Sequence, residues 1–350
     1  MTIAILRFSA LGDVAMTVPV VWSMAHQNAE IKIVVITQSW LCDLYKDVAP
    51  NVKVHPCEPH GKHKGIRGMY RLAKELKAEG IDVVADLHDV LRTKILRNIL
   101  RLMGCTIKSI NKGHSARRAL LSKTHQYKPA AILKGENTNR EHPSPLRPQS
   151  ERYAEVFRHL GLSFQIDFKS LHLPLLKNLP KKDNEEKWIG VAPMAAHASK
   201  NYPSERLIKL LYSLMEVQSL KLFFFGREPK VKSIVSELTA SFPDKVFLAS
   251  DLVHGLREEL RLMQSLDTML SMDSGNMHLA SLVDLRVVSI WGATHPMMGF
   301  MGYRQKEDDC VQCAYACRPC TTYGSKPRCK APYPCLENIS EQEIQTKLLS

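Results

Sequence analysis

Short apolar runs alternate with amphipathic stretches along the whole chain. In the first half the runs at 3–6, 31–37, 52–55, 83–87 and 106–110 have strand length and are rich in Ile, Val and Leu. Between them, 14–25, 66–77 and 91–103 repeat apolar residues at helical spacing, which predicts βαβ units on a parallel sheet. Residues 135–150 turn to Asn, Pro, Ser and Arg and read as an exposed loop. A helix is predicted at 151–160, followed by a linker rich in Lys and Pro. The pattern then restarts, with strands predicted at 188–192, 220–225, 246–248, 268–272 and 287–290. Helices are predicted at 204–217, 230–242, 255–263 and 277–282, Ser204 being a suitable N-cap after Pro203. A last capped helix is predicted at 340–348. Apart from this shared architecture the halves show no internal repeat.

Two doubly wound α/β domains place ligands at the carboxyl ends of their strands. Two turns there carry chemistry. Met272-Asp273-Ser274-Gly275-Asn276-Met277-His278-Leu279-Ala280 joins an apolar run to an amphipathic helix, whose first N–H groups suit an anion. Arg7-Phe8-Ser9-Ala10-Leu11-Gly12-Asp13 repeats the layout of strand, small residues, carboxylate and helix. Asp13, with Ser9 nearby, reads either as a general base or as a helix-capping carboxylate. In the second half Lys200 follows a strand and suits a phosphate, while Glu228 follows the Phe223-Phe224-Phe225 run and suits ribose hydroxyls. His88 and His278 lie near strand ends. Each residue alone is ordinary loop chemistry, but those of the second half share one edge of one predicted sheet.

Composition narrows the classes. A chain of 350 residues suits two domains, and its apolar and charged shares are those of a soluble globular protein. No apolar run approaches the roughly 18 residues of a membrane span. Met1 to Leu6 reads as a buried first strand rather than a signal, so a cytoplasmic protein is expected. The net charge of +13 points to an anionic partner or to solvated basic faces. The excess lies in 60–67, 92–101 and 108–123 without interleaved aromatics, so base stacking is unsupported and nucleic acid is not expected as a partner. The G-x-G-x-x-G and P-loop fingerprints are missing, as is a nucleophile elbow. This argues against a dehydrogenase, an NTP-driven engine and a serine hydrolase.

Arg7-Phe8-Ser9-Ala10-Leu11-Gly12-Asp13-Val14, with Thr17 and Pro19, resembles the start of the lipopolysaccharide heptosyltransferases of glycosyltransferase family 9. The Asp273 to Ala280 stretch, followed by Trp291-Gly292-Ala293-Thr294-His295-Pro296, is similar to that family's C-terminal signature. The resemblance implies the GT-B fold, two Rossmann-like doubly wound domains facing across a cleft. It implies an inverting, metal-independent transfer from a nucleotide sugar, typically ADP-heptose, to a lipid-linked acceptor. By position Asp13 is then the general base, with Ser9 and Gly12 on the acceptor side. Lys200 holds the diphosphate, Glu228 the ribose and Asp273 the donor sugar, while Ser274, Gly275 and His278 surround the phosphates. An inverting transfer needs one base on the acceptor and positive charge on the departing diphosphate, which fits these residue types. Tyr202 stands where the family often places Trp.

The expected organisation is an acceptor-binding domain over 1–170, a donor-binding domain over 184–335 and a terminal helix within 336–350. Expected partners are an ADP-sugar, an anionic lipid-linked saccharide and, through charge alone, the inner face of the cell membrane. A transferase of another nucleotide sugar and a non-catalytic anionic-lipid or nucleic-acid binder on a degenerate scaffold are the competing readings.

Six of the nine cysteines fall within 310–335. Cys310-x-x-Cys313 and Cys317-x-x-Cys320 have the spacing of metal ligands, so a structural zinc is one reading. Reduced thiols and disulfides are others, the last disfavoured in a reducing cytoplasm, and an iron–sulfur cluster is a less supported reading because the segment shows none of the usual ferredoxin runs. No cofactor is expected for catalysis.

Overall fold

The computed structural model describes residues 1–124 and 144–350. They fall into two compact units, Met1–Lys112 with Gln149–Leu171, and Gly113–Pro148 with His172–Ser350.

The first unit is built on β1 (Thr2–Leu6), β2 (Lys32–Gln38), β3 (Val52–Cys57), β4 (Val83–Asp86) and β5 (Thr106–Ser109). All neighbours pair in parallel, in the order β3-β2-β1-β4-β5. Strands buried on both faces read as continuous apolar runs, and Ile3 to Leu6 are indeed wholly buried. The helices Gly65–Ala78 and Leu91–Leu102 lay Leu72, Leu76, Leu96 and Leu100 against Leu6, Val34 and Val84.

The second unit carries β6 (Lys187–Ala192), β7 (Leu220–Phe224), β8 (Val246–Leu248), β9 (Thr268–Met272), β10 (Val287–Trp291) and β11 (Cys310–Gln312). Its order is β11-β10-β9-β6-β7-β8, again parallel throughout. Each sheet therefore reverses its winding once, between β1 and β4 and between β6 and β9. At such a point the flanking loops part and leave a crevice beyond the strand ends.

The expected helix at 14–25 is two helices, Leu11–Ala15 and Val18–Gln27. Pro19 cannot donate in a helix interior and instead sits in the first turn of the second. Ser204 is the first helical residue of Ser204–Met215 rather than its cap, which is Pro203 and makes no side-chain bond. Ser340 does cap Glu341–Leu349, accepting from the Glu343 amide. β11 was not visible in the hydrophobic pattern.

The described part of Gly113–Pro148 packs with the second unit, although it falls within the domain expected at 1–170. Thr124 Oγ1 donates to the Pro319 carbonyl at 2.7 Å, and the Leu146 amide to that of Met297 at 2.8 Å. Arg117 lies 4.5 Å over the Phe300 ring. These contacts tie the segment to the second unit, so the first is not contiguous in sequence. Most of the predicted loop at 135–150 lies outside the described residues.

Candidate active site

In the first unit the chemistry gathers where the winding reverses. Arg7 leaves the end of β1 and is buried. Its Nη2 lies 2.5 Å from Asp13 Oδ2, and its Nη1 donates to the Leu87 carbonyl beyond β4 at 2.9 Å. Asp13 occupies the first turn of Leu11–Ala15, but that helix has no side-chain cap, so the capping role fails here. The carboxylate is held from one side by Arg7 and keeps 30% of its side-chain surface exposed, open to a reacting group. Ser9 and Gly12 share this turn and are half-buried.

His88 stands at the end of β4, where its Nδ1 accepts from the Phe8 amide at 3.3 Å. That bond places the neutral ring's proton on Nε2. Burial first, then Arg7, Lys112 and Arg92, push its pKa down to about 3. Lys112 follows β5 and donates to the Asp89 carbonyl at 3.0 Å; burial lowers its pKa too. Arg7, Arg92 and Lys112 thus surround a neutral imidazole with positive charge beside Asp13. Such an edge suits an anionic ligand.

In the second unit Lys200 ends the short turn Ala198–Lys200 beyond β6, and Asp273 follows β9. Lys200 Nζ lies 2.9 Å from Asp273 Oδ2, which also accepts from Thr294 Oγ1 at 2.7 Å. Both charged side chains are mostly buried. Ser274 precedes the helix Gly275–Leu282 without capping it; its Oγ stands 3.2 Å from that of Ser271. The first amides of that helix therefore carry no side-chain cap. His278 is buried one turn on.

Glu228 follows β7 and is the cap residue of Pro229–Ser241. Its carboxylate folds back on Gly226, where a Cβ would lie 2.7 Å from Glu228 Oε2. Next to it Arg227, Lys232, Ser250, His254 and Gly255 line an open pocket of ≈ 340 Å³. That volume is within the usual range for small-molecule sites.

The structure therefore joins Lys200, Asp273, Ser274 and Gly275 at one strand edge and sets Glu228 beside a separate pocket. Sequence reasoning missed the contacts of Arg7 and Thr294, although both residues lay inside the quoted motifs.

The predicted zinc set is not assembled. Among the described residues no three His, Cys, Asp or Glu side chains are placed to hold a metal ion. Cys310 lies in β11, where pairing with β10 sets its thiol 3.5 Å from Ser289 Oγ. Among the described residues the nine cysteines form no disulfide.

Residues 69–330 match the model of glycosyltransferase family 9 (heptosyltransferase). The chain belongs to this family, and is a glycosyltransferase. The matched span contains Lys200, Glu228 and Asp273 to His278 but stops short of Arg7 and Asp13. No curated protein matches the chain. Among solved structures, a family 9 glycosyltransferase from Veillonella parvula superposes with a TM-score of 0.70 at 18% identity, over 99% of this chain and 97% of that one. The Escherichia coli heptosyltransferase WaaC with ADP gives 0.62 at 17% identity, over 87% and 92%. The Escherichia coli ADP-heptose LPS heptosyltransferase II gives 0.65 at 15% identity, over 100% and 98%. Identities this low speak for the fold: two Rossmann-like domains of the GT-B family 9 kind. Among the described residues no helix is long and apolar enough to cross a membrane.

Proposed function

We propose that this family 9 enzyme moves a heptose from ADP-heptose to a lipid-linked lipopolysaccharide core saccharide, inverting the anomeric centre. The observation that carries this reading is the Lys200–Asp273–Thr294 cluster at the second sheet's reversal point, beside the amino end of Gly275–Leu282. One bond to Asp273 leaves two of the three Lys200 donors for a diphosphate. The helix amides add directed positive charge. Together they meet the charge that develops on the departing ADP, so the step asks for no metal. Asp273, fixed by Lys200 and Thr294, is the contact for the donor sugar. Glu228 takes the ribose hydroxyls, and the pocket lined by Arg227, Ser250 and His254 takes the rest of the nucleoside. WaaC, of the same fold, was solved with ADP and with ADP-2-deoxy-2-fluoro heptose, which supports this choice of donor.

The acceptor belongs to the first domain. Asp13 removes the proton from the attacking hydroxyl as the bond to the anomeric carbon forms, and ADP leaves from the opposite face. Arg7 holds the carboxylate aimed before the step. Ser9 and Gly12 border the incoming sugar, and Lys112 and Arg92 meet its anionic groups. The net charge of +13 suits an anionic saccharide and a reversible stay at the inner membrane surface, within the cytoplasm.

Asp13→Asn keeps the shape and removes the base. Its turnover of ADP-heptose should fall by about 10²–10⁴-fold, with ADP affinity within about twofold of wild type. Single-turnover kinetics and calorimetry on the two proteins decide it. A near-normal kcat would remove Asp13 from the chemistry.

A further inference from the structure

The cysteine-rich segment is the one prominent sequence feature that the proposed reaction leaves unused. At its centre lies Arg318, 2% exposed. Its Nε donates to the Gly292 carbonyl at 2.5 Å and its Nη1 to the Cys313 carbonyl at 2.5 Å. Its Nη2 donates to the carbonyls of Trp291 at 2.9 Å and Thr294 at 2.8 Å, and to Gln312 Oε1 at 3.1 Å. Every acceptor is a neutral oxygen; Trp291 ends β10, and Gly292 and Thr294 belong to the turn that follows it. Burying a guanidinium this way, with no carboxylate among its hydrogen-bond partners, is costly when apolar filling would do. What a planar fork of donors does, and an apolar side chain cannot, is gather several carbonyls of one turn into a fixed array.

That turn reaches the donor site. Arg318 holds the Thr294 carbonyl from behind, and the Thr294 hydroxyl holds Asp273, the partner of Lys200. The same segment also reaches Lys200 by a second route. The Cys320 amide donates to the Ala293 carbonyl at 3.0 Å, and the Ala293 amide to that of Ser199 at 3.0 Å. Ser199 Oγ donates to the Gly324 carbonyl at 2.8 Å. Gly324, with φ +87°, lies so close that a Cβ there would stand 2.6 Å from Lys200 Cδ.

We infer that Arg318 is a positioning residue of the donor site: it fixes the Trp291–Thr294 turn, and through Thr294 the Lys200–Asp273 pair. The inference rests on the donor-site reading for its purpose, but its geometry can be tested without any ligand. The test uses the full chain with Arg318→Lys, a cation that cannot make the fork. Brief acetylation of amines, mapped by mass spectrometry, reports whether Lys200 is still held. Lys221, paired with Glu186 at 2.9 Å elsewhere in the same unit, is the internal reference. The expected result is Lys200 acetylation raised several-fold relative to Lys221, with ADP affinity lowered about tenfold. Equal labelling ratios and unchanged ADP affinity, with only a lower Tm, would overturn the role and leave Arg318 structural. If Arg318→Lys does not fold, Thr294→Val cuts the path beyond the buried cation and carries the same expectation. An unchanged Lys200:Lys221 ratio there overturns the route through Thr294. Wild type that binds no ADP sinks the donor reading, and the labelling ratio still decides the positioning role.

Discussion

At the scale of single residues, His88 shows how the first domain keeps a neutral ring among cations. Its Nδ1 is committed to the Phe8 amide, and burial together with Arg7, Lys112 and Arg92 brings its pKa down to about 3. In the unfolded chain an imidazole takes its proton near pH 6.5. Between those values the unfolded state holds the extra proton, so stability is complete above about pH 6.5 and declines as pH falls toward 3. The slope contributed by this one group approaches about 1.4 kcal/mol per pH unit. His63, also lowered by burial, acts in the same direction. Denaturant unfolding of wild type and His88→Gln from pH 7 to pH 4 should therefore give a shallower acid limb in the variant. Parallel limbs would mean that His88 is not held neutral. His88 was legible as a residue near a strand end, and Asp13 as a carboxylate after one. That Arg7 would turn to Asp13, and leave the helix without a cap, depends on how the ends of β1 and β4 meet, which no local spacing encodes.

At the scale of elements, most strands were legible because a strand covered on both faces must be continuously apolar. β8 and β9 match their expected bounds, and the others shift by one or two residues at an end. The elements that escaped are those whose pattern is interrupted. β11 is three residues long and lies among cysteines, so it has no run to read. The break between Leu11–Ala15 and Val18–Gln27 follows from Pro19, which an apolar period does not register. Gly68 offers a test of how closely elements fit. On the helix Gly65–Ala78 it faces the turn that ends at His63, and a Cβ there would lie 2.2 Å from the His63 carbonyl carbon. The turn is pinned by the Glu58 amide on His63 Nδ1 at 3.0 Å and by His63 Nε2 with Glu75 at 3.1 Å. Ala at this position gains about 1 kcal/mol of helix propensity. Overpacking against backbone costs up to about 3 kcal/mol. Gly68→Ala should thus lose about 1–2 kcal/mol of first-domain stability in urea unfolding. A stabilised variant would show that the turn does not sit against the helix.

At the scale of the whole molecule, two sheets of the same winding each present one reversal point, and the candidate residues other than Glu228 sit at one or the other. The sequence motifs gave these positions because each follows a strand directly, so the fold fixes where they stand. Arg318 was hidden for the opposite reason: its work depends on burial and on carbonyls more than twenty residues earlier in the chain. The proposed function makes two separate demands, an anionic acceptor to suit the charge of +13 and a specific nucleotide at the Lys200–Asp273 cluster. Only the second separates a heptosyltransferase from a basic scaffold that binds anions without selection. The most direct measurement is calorimetric titration of the full chain with ADP, UDP and GDP, each repeated with Lys200→Ala. The account predicts binding selective for ADP, weakened at least about tenfold by loss of Lys200. Equal affinity for the three nucleotides, or ADP binding indifferent to Lys200, would contradict it.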